Sequence, residues 1–416
     1  MRRVMVTGMG MVCALGNSVD ETWKALLRAK TGITGLDRPG FHDLPAAQLK
    51  DMEKLRRRSS FGCREDFGGK AFVMAAAAAS EALEQAGIDS GDSLCLRGAA
   101  LILGGSSANG RTEEMYGLLR SLSDGTPEER IFWPDFAPGM RDPDTAPLLA
   151  AILGIRGQVQ TIYNACASSA MAIGRGFDLI RTKKAELVIC GGSDAGTGLN
   201  ELSLFSVLKV ASTGEDPAEA CRPFSKDRRG CVIGEGAGIL ILESEEHAAS
   251  RRVQPLAEIL GYGTATDTHH VTSPDMDGHS YAESMRGALL SSGLSPADVG
   301  YINAHGTGTY YNDMIETRAI RQVFDEIADT VPVSSTKAAT GHLLSAAGSA
   351  EAVITVQAVR NGCLPLTLNL KVPDAECDLD YVPENTRKKV IRAALTNSFG
   401  FGGQNVTIAI GGVEHE

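Results

Sequence analysis

One pattern that occurs twice constrains this chain more than any other feature. Ala71 to Ala86 reads as an alanine-rich helix stopped by Gly87, and Ala99 to Leu103 as a buried strand ending in Gly104-Gly105-Ser106-Ser107. Much later, Tyr281 to Ser292 reads as a helix stopped by Gly293, and Val299 to Ala304 as a strand ending in His305-Gly306-Thr307-Gly308-Thr309. A second pair follows the same logic, with the strand and helix around Cys166 echoed by Val331 to Gly362. Repetition of this kind points to an internal duplication. Its seam falls near Glu243 to Pro255, which divides the chain into halves 1–250 and 251–416. Strands alternating with helices imply a largely parallel sheet in each half, and 416 residues exceed what one core usually serves.

Open α/β sheets place ligands at strand ends, and four polar segments interrupt the apolar pattern there. They are Asn164-Ala165-Cys166, the His305 loop, Ser334-Ser335-Thr336-Lys337 running on to Gly341-His342, and Asn397-Ser398-Phe399-Gly400-Phe401-Gly402-Gly403. Cys166 stands where a β-branched strand turns into a helix, a place where the helix dipole favours the nucleophilic thiolate. A buried structural cysteine would fit that stretch equally well. The histidines tip the balance, because two of only eight, His305 and His342, lie in glycine-rich loops at strand ends. His42, His247 and His415 read as solvated, and His269, His270 and His279 stay undecided. One thiol and two imidazoles suit thioester chemistry, in which the thiolate attacks and N–H groups hold an oxyanion or enolate.

Other classes are less consistent with the chain. The net charge of −11 argues against nucleic acid as the main partner. Arg3 to Thr7 reads as a strand, and Gly8-Met9-Gly10 as a tight turn after it. A dinucleotide fingerprint would want glycine where Cys13 stands. The nine cysteines show no CxxC and no metal-ligand spacing, so no metal is expected. Their odd number, with no secretory signal and no apolar run long enough to span a bilayer, leads us to expect a cytoplasmic protein. The one basic cluster runs from Lys54 through Arg56, Arg57 and Arg58 to Arg64 and Lys70. It fits either a solvated helix face or a dock for an acidic partner.

The four segments resemble those of the β-ketoacyl-acyl carrier protein synthases of the elongating type I/II, in the thiolase-like superfamily. The likeness covers essentially the whole chain, including Arg222-Pro223-Phe224 and Gly234-Glu235-Gly236-Ala237-Gly238. It implies an α/β thiolase-like fold of duplicated βαβαβαββ halves forming a five-layered α-β-α-β-α core. It also implies Cys166 as the acyl acceptor, His305 and His342 as donors to the malonyl thioester, and Lys337 tuning the histidines. Backbone N–H groups of Cys166 and Phe401 would form the oxyanion hole, with Gly400 and Gly402 letting the Phe401 gate swing. Thr307 and Thr309 would hold the pantetheine arm. Ala108, Phe136 and Phe205 would line the acyl pocket, and Glu351 would be structural. Arg56, Arg57, Arg58, Arg64 and Lys209 would dock the acidic acyl carrier protein. The resemblance further implies a homodimer or a heterodimer with a homologous subunit. It implies no cofactor beyond the phosphopantetheine that arrives on the carrier.

The chain departs from the housekeeping pattern of that family. Alanine at Ala108 and the small residues after Phe136 suggest a differently shaped acyl tunnel. Tyr310-Tyr311-Asn312-Asp313 stands where proline or a small residue is commoner, and Asn164 replaces a threonine. These departures suggest a specialised type II enzyme of a lipid or polyketide pathway. A degradative thiolase would need a second cysteine in a strand-end glycine loop, and neither Cys363 nor Cys377 lies in one. A non-catalytic chain-length factor would lack the nucleophile, which is present.

Overall fold

The computed structural model describes residues 2–36, 44–59, 61, 69–89, 93–106, 145–213 and 216–413. Ten strands form one sheet. In the first half these are β1 (Val4–Cys13), β2 (Ala100–Gly104), β3 (Val159–Ile162), β4 (Leu187–Asp194) and β5 (Gly236–Ser244). In the second they are β6 (Ala257–Thr266), β7 (Val299–Asn303), β8 (Val333–Ser334), β9 (Ala393–Gly400) and β10 (Gln404–Gly411). Their order across the sheet is β8-β7-β9-β10-β6-β1-β5-β4-β2-β3.

The two halves are built alike, strand for strand. β2 runs parallel to β3 and β4, while β5 is antiparallel to β4 and to β1. In the same way β7 runs parallel to β8 and β9, and β10 is antiparallel to β9 and β6. A short antiparallel ladder from Val4 to Val6 of β1 with Ala257 to Ile259 of β6 joins them. The helix-then-strand repetition visible in the sequence is this topology seen end-on.

The main helices are α1 (Val19–Leu27), α2 (Met52–Arg58), α3 (Lys70–Gln85), α4 (Thr145–Leu153), α5 (Ser168–Arg181), α6 (Leu199–Val207), α7 (His279–Ser292), α8 (Tyr310–Phe324) and α9 (Ala347–Asn361). α3 covers β1 and β5 on one outer face, and α7 covers β6 and β10 on the other. α5 and α9 pack together between the half-sheets, α5 against β2 and β4, α9 against β5 and β9. The layers therefore run α-β-α-β-α. Small residues bring that middle layer together: a Cβ at Gly348 of α9 would lie only 2.7 Å from the Ala170 Cβ of α5. Burial on all sides also explains why α5 and α9 are apolar round most of their circumference rather than along one stripe.

Gly8 and Gly10 correct the expected turn. β1 passes straight through both, paired with β5 to its end. A Cβ at either position would collide with the Ala82 or Ala78 carbonyl of α3, so these glycines admit a helix rather than bend a strand. β3 is the second departure. It is the sheet's edge, and all four of its residues are only half-buried.

Candidate active site

The turn carrying Cys166 is held by local bonds. Ala165 takes φ 48°, a left-handed value that costs a non-glycine residue about 1–2 kcal/mol. The Ser168 hydroxyl offsets part of this by accepting from Asn164 N–H at 2.8 Å and donating to Ala165 O at 2.7 Å. The chain is thereby fixed in the hairpin that leaves Cys166 at the mouth of α5. Its sulfur lies 3.1 Å from His342 Nε2.

The dipole argument does not set the resting thiol's pKa. Burial pushes Cys166 up to about 12, against the pull of the Lys337 charge and with Asp194 and Glu351 adding to the rise. The apolar surroundings are Phe205, Leu202, Cys231, Ile233 and Leu344. The Phe401 backbone N–H also hydrogen-bonds the sulfur. Gly400 lies against the same turn, for a Cβ there would come within 3.2 Å of Cys166 N and 3.1 Å of Asn164 O. The backbone donors of Cys166 and Phe401 thus meet at one place, and the Phe401 ring packs 5.9 Å from Phe205. Gly402 and Gly403 take φ of 80° and 76°, as the turn after Phe401 requires.

His305 and His342 meet edge to face at 5.3 Å between ring centroids, both buried. Burial, with the neighbouring Lys337 charge, holds both imidazoles well below their ordinary pKa, so they are neutral. Lys337 is fully buried, forms an ion pair with Glu351, and lies 3.4 Å from His305 Nδ1. An ammonium can only donate. His305 must therefore accept at Nδ1 and carry its proton on Nε2. Burial against the Lys337 attraction leaves the Glu351 carboxyl raised to about 7.

Carboxylates that sequence reasoning did not single out hold the His305 loop. Glu316 of α8 accepts from His305 N–H and Gly306 N–H, each at 2.8 Å, and from Asn397 Nδ2 at 3.0 Å. Asp313, one turn earlier, accepts from Phe224 N–H at 2.7 Å and from Gly308 N–H at 3.1 Å. Burial raises both, Glu316 to about 7. The sequence did carry a signal for them: two acids one turn apart on the inward face of an amphipathic helix, directly after a glycine-rich histidine loop.

Cys166, His305, His342, Phe401, Gly400, Thr307, Thr309 and Phe205 all line one cavity of about 460 Å³. The two threonine hydroxyls are 2.9 Å apart. The lining also includes Lys209, Arg228, Arg229, Val271, Tyr310 and Tyr311. Arg228 stacks over the Tyr310 ring at 5.0 Å and is ion-paired to Asp374 at 2.5 Å. Of the expected docking cations, Lys209 lines the cavity, and Arg56, Arg57 and Arg58 do not. Arg56 and Arg57 reach Glu53 of their own helix at 3.5 and 3.7 Å, and Arg58 donates to Asn17 O at 2.6 Å. Arg228 and Arg229 went unnoticed in the sequence. Ala108, Phe136 and Arg64 lie outside the described residues.

The remaining polar calls divide. His247, expected to be solvated, is half-buried with Nδ1 at 2.5 Å from the buried Glu243. His279 is exposed and paired with Asp275 at 2.9 Å, and His270 lines the cavity. All eight cysteines among the described residues are free, and no helix among those residues is long and apolar enough to cross a membrane.

Known proteins share this sequence and fold. Residues 1–248 match the family model of the beta-ketoacyl synthase N-terminal domain, and residues 256–371 that of its C-terminal domain. A 3-oxoacyl-[acyl-carrier-protein] synthase 2 of Synechocystis sp. is 37% identical, covering 98% of this chain and 97% of that protein. Nodulation protein E of Rhizobium meliloti is 35% identical, with 98% of each covered. The ishigamide ketosynthase/chain length factor superposes with a TM-score of 0.90 at 32% identity, covering 99% of this chain and all of the matched one. A type II polyketide synthase ketosynthase, solved with its acyl-carrier protein and bound to the hexaketide, gives 0.88 at 31%, with 99% and 100% covered. A thiol held against one neutral histidine, a second histidine whose tautomer is fixed by a buried lysine, and these family matches over both halves lead to one conclusion: the chain belongs to the β-ketoacyl synthase family.

Proposed function

We propose that this enzyme joins an acyl group held on Cys166 to a malonyl unit, each delivered as a thioester on an acyl carrier protein. The observation that carries the reading is the 3.1 Å approach of His342 Nε2 to Cys166 Sγ, in one cavity with a His305 whose Nε2 must bear the proton. In the first stage Cys166 sulfur attacks the acyl thioester, the acyl–sulfur bond to the carrier breaks, and the thiol proton ends on the departing pantetheine sulfur. In the second stage malonyl thioester loses CO₂. The electron pair left behind becomes an enolate whose oxygen accepts from the Nε2–H groups of His305 and His342.

The enolate carbon then attacks the acyl carbonyl on Cys166. The oxygen of that tetrahedral centre accepts from the backbone N–H groups of Cys166 and Phe401. Collapse releases the β-ketoacyl chain on its carrier and returns the sulfur as thiolate, to be reprotonated. Lys337 keeps His305 in the donating tautomer. Because both imidazoles are neutral, each keeps one N–H to donate and one ring nitrogen that can accept. Thr307 and Thr309 offer hydroxyls to the amides of the pantetheine arm, and Phe401 gates the acyl side. The reaction asks for neither electron transfer nor a Lewis acid, so the arm on the carrier is the one prosthetic group we assign to it.

We infer a two-subunit enzyme paired along β3, because that edge is half-exposed whereas β8, at the opposite edge, is buried. A homologous chain-length factor is the second candidate for the partner, favoured by the likeness to structures that contain one. The free cysteines suit a reducing cytoplasm. The departures at Asn164 and at Tyr310 to Asp313 favour a specialised pathway over housekeeping elongation. The decisive experiment supplies purified protein with acyl- and malonyl-carrier protein and analyses the carrier by mass. A β-ketoacyl product lost in His305→Ala supports the reading. A wild type that decarboxylates and condenses nothing with any acyl donor, alone or with a partner subunit, overturns it.

A further inference from the structure

Asp194 ends β4, a strand buried along its whole length. Its carboxylate is fully buried, and no basic side chain among the described residues pairs with it. Oδ2 accepts from the Ser345 hydroxyl at 2.6 Å and from Ser345 N–H at 2.9 Å, while Oδ1 has no hydrogen bond among the described residues. A buried carboxylate with a half-filled hydrogen-bond shell is costly. This one is placed where two catalytic elements converge.

Ser345 follows His342 by three residues, and between them Leu344 takes φ 49°. Backbone bonds clamp the near end of that turn: His342 N–H donates to Val232 O at 2.7 Å, and Gly234 N–H to His342 O at 2.9 Å. Asp194 clamps the far end. Two residues before it, a Cβ on Gly192 would lie 2.8 Å from Ser169 Cβ and 3.3 Å from Ser345 O. The tip of β4 therefore touches both the start of α5, just after Cys166, and the turn that presents His342.

We propose that Asp194 is a positioning residue of this enzyme: through Ser345 it fixes the turn that holds His342 Nε2 against Cys166 Sγ. The role deepens the condensing reading and rests on it. Around the sulfur, Lys337 favours the thiolate, Asp194 and Glu351 oppose it, and the His342, His305 and Cys231 side chains complete the shell. Around Asp194 stand Ser345 and, further off, Glu235. Asp194 anchors the His342 turn, while Glu351 pairs with Lys337.

Two substitutions at Asp194 test the anchor. Asp194→Ala leaves both Ser345 donors without their acceptor, so it should lower condensation roughly tenfold or more and change the rate at which iodoacetamide alkylates Cys166, because His342 is no longer held against the sulfur. Asp194→Asn keeps an oxygen for Ser345 and should restore most of both. Both variants are checked for folding by thermal melting, and alkylation is read at Cys166 by intact mass against Cys166→Ala. A folded Asp194→Ala with wild-type condensation and alkylation, or an Asp194→Asn no better than Asp194→Ala, would overturn the anchor. Alkylation uses neither carrier nor acyl donor, so its outcome is independent of whether the condensing reading survives.

Discussion

Strand ends of both halves serve the site, yet they serve it differently. The first half supplies Cys166 after β3 and Asp194 at the end of β4, and around the thiol lies an apolar compartment. The second half supplies His305 after β7, Lys337 after β8 and Phe401 after β9. Its loops are pinned by buried carboxylates, Glu316 and Asp313 under the histidine loop and Glu351 under the lysine. In the first half the reactive turn is instead held by the Ser168 hydroxyl and by backbone bonds from Ala167 N–H to Asn164 O and from Ser168 N–H to Ala165 O, with Ala165 strained. Duplication thus gives two equivalent sets of strand ends aimed at one cavity. Chemistry arises because one set is furnished for an acyl chain and the other for charge.

The largest expected effect breaks the second half's role. His342→Ala should lower condensation by roughly 10²- to 10³-fold while iodoacetamide still alkylates Cys166. Loss of both together would mean that the two halves do not divide the work. The lysine comes next. Lys337→Ala strands Glu351 in the core and should cost about 3–5 kcal/mol of stability, read by denaturant unfolding. The double variant Lys337→Met/Glu351→Leu should recover most of the stability and none of the activity, since it refills the core but leaves His305 without its tautomer partner.

A pH experiment sharpens the contrast further. Burial raises the Glu316 carboxyl from 4.5 to about 7, so the folded protein binds that proton more tightly than the unfolded chain does. The stability it contributes is fully present below 4.5 and is lost as pH rises through about 7. Glu316→Gln should therefore narrow the gap in melting temperature between the acid and neutral ends of that window. A gap as wide as in wild type would contradict the assignment. The smallest effect belongs to the first half. Ala165→Gly removes the left-handed strain and should stabilise the fold by up to about 1 kcal/mol, measured by thermal melting, with acylation of Cys166 little changed.

Much of this was legible in the chain. The repeated order of helix, glycine and strand predicted the duplicated sheet, because topology follows from which elements alternate. The four polar strand ends identified the cavity, because apolar strands have no other reason to end in histidine, lysine and cysteine. What escaped were residues whose work depends on distance in space. Gly8 and Gly10 read as a turn because the sequence does not show that α3 crosses them. The thiol's position in the helix dipole was visible, but the apolar shell that outweighs it comes from α6, the Cys231 segment and Leu344, far apart in sequence. That Arg228 and Arg229 join Lys209 in lining the cavity likewise depends on placement in three dimensions.

The central claim is that Cys166 accepts the acyl group, and one measurement tests it most directly. Purified protein is incubated with a panel of acyl-carrier proteins and weighed intact, beside Cys166→Ala. The account predicts an acyl adduct on the wild type and none on the variant, with the preferred chain length naming the substrate class. An adduct of equal yield on Cys166→Ala, or no adduct on the wild type from any donor even with a homologous partner present, would contradict it.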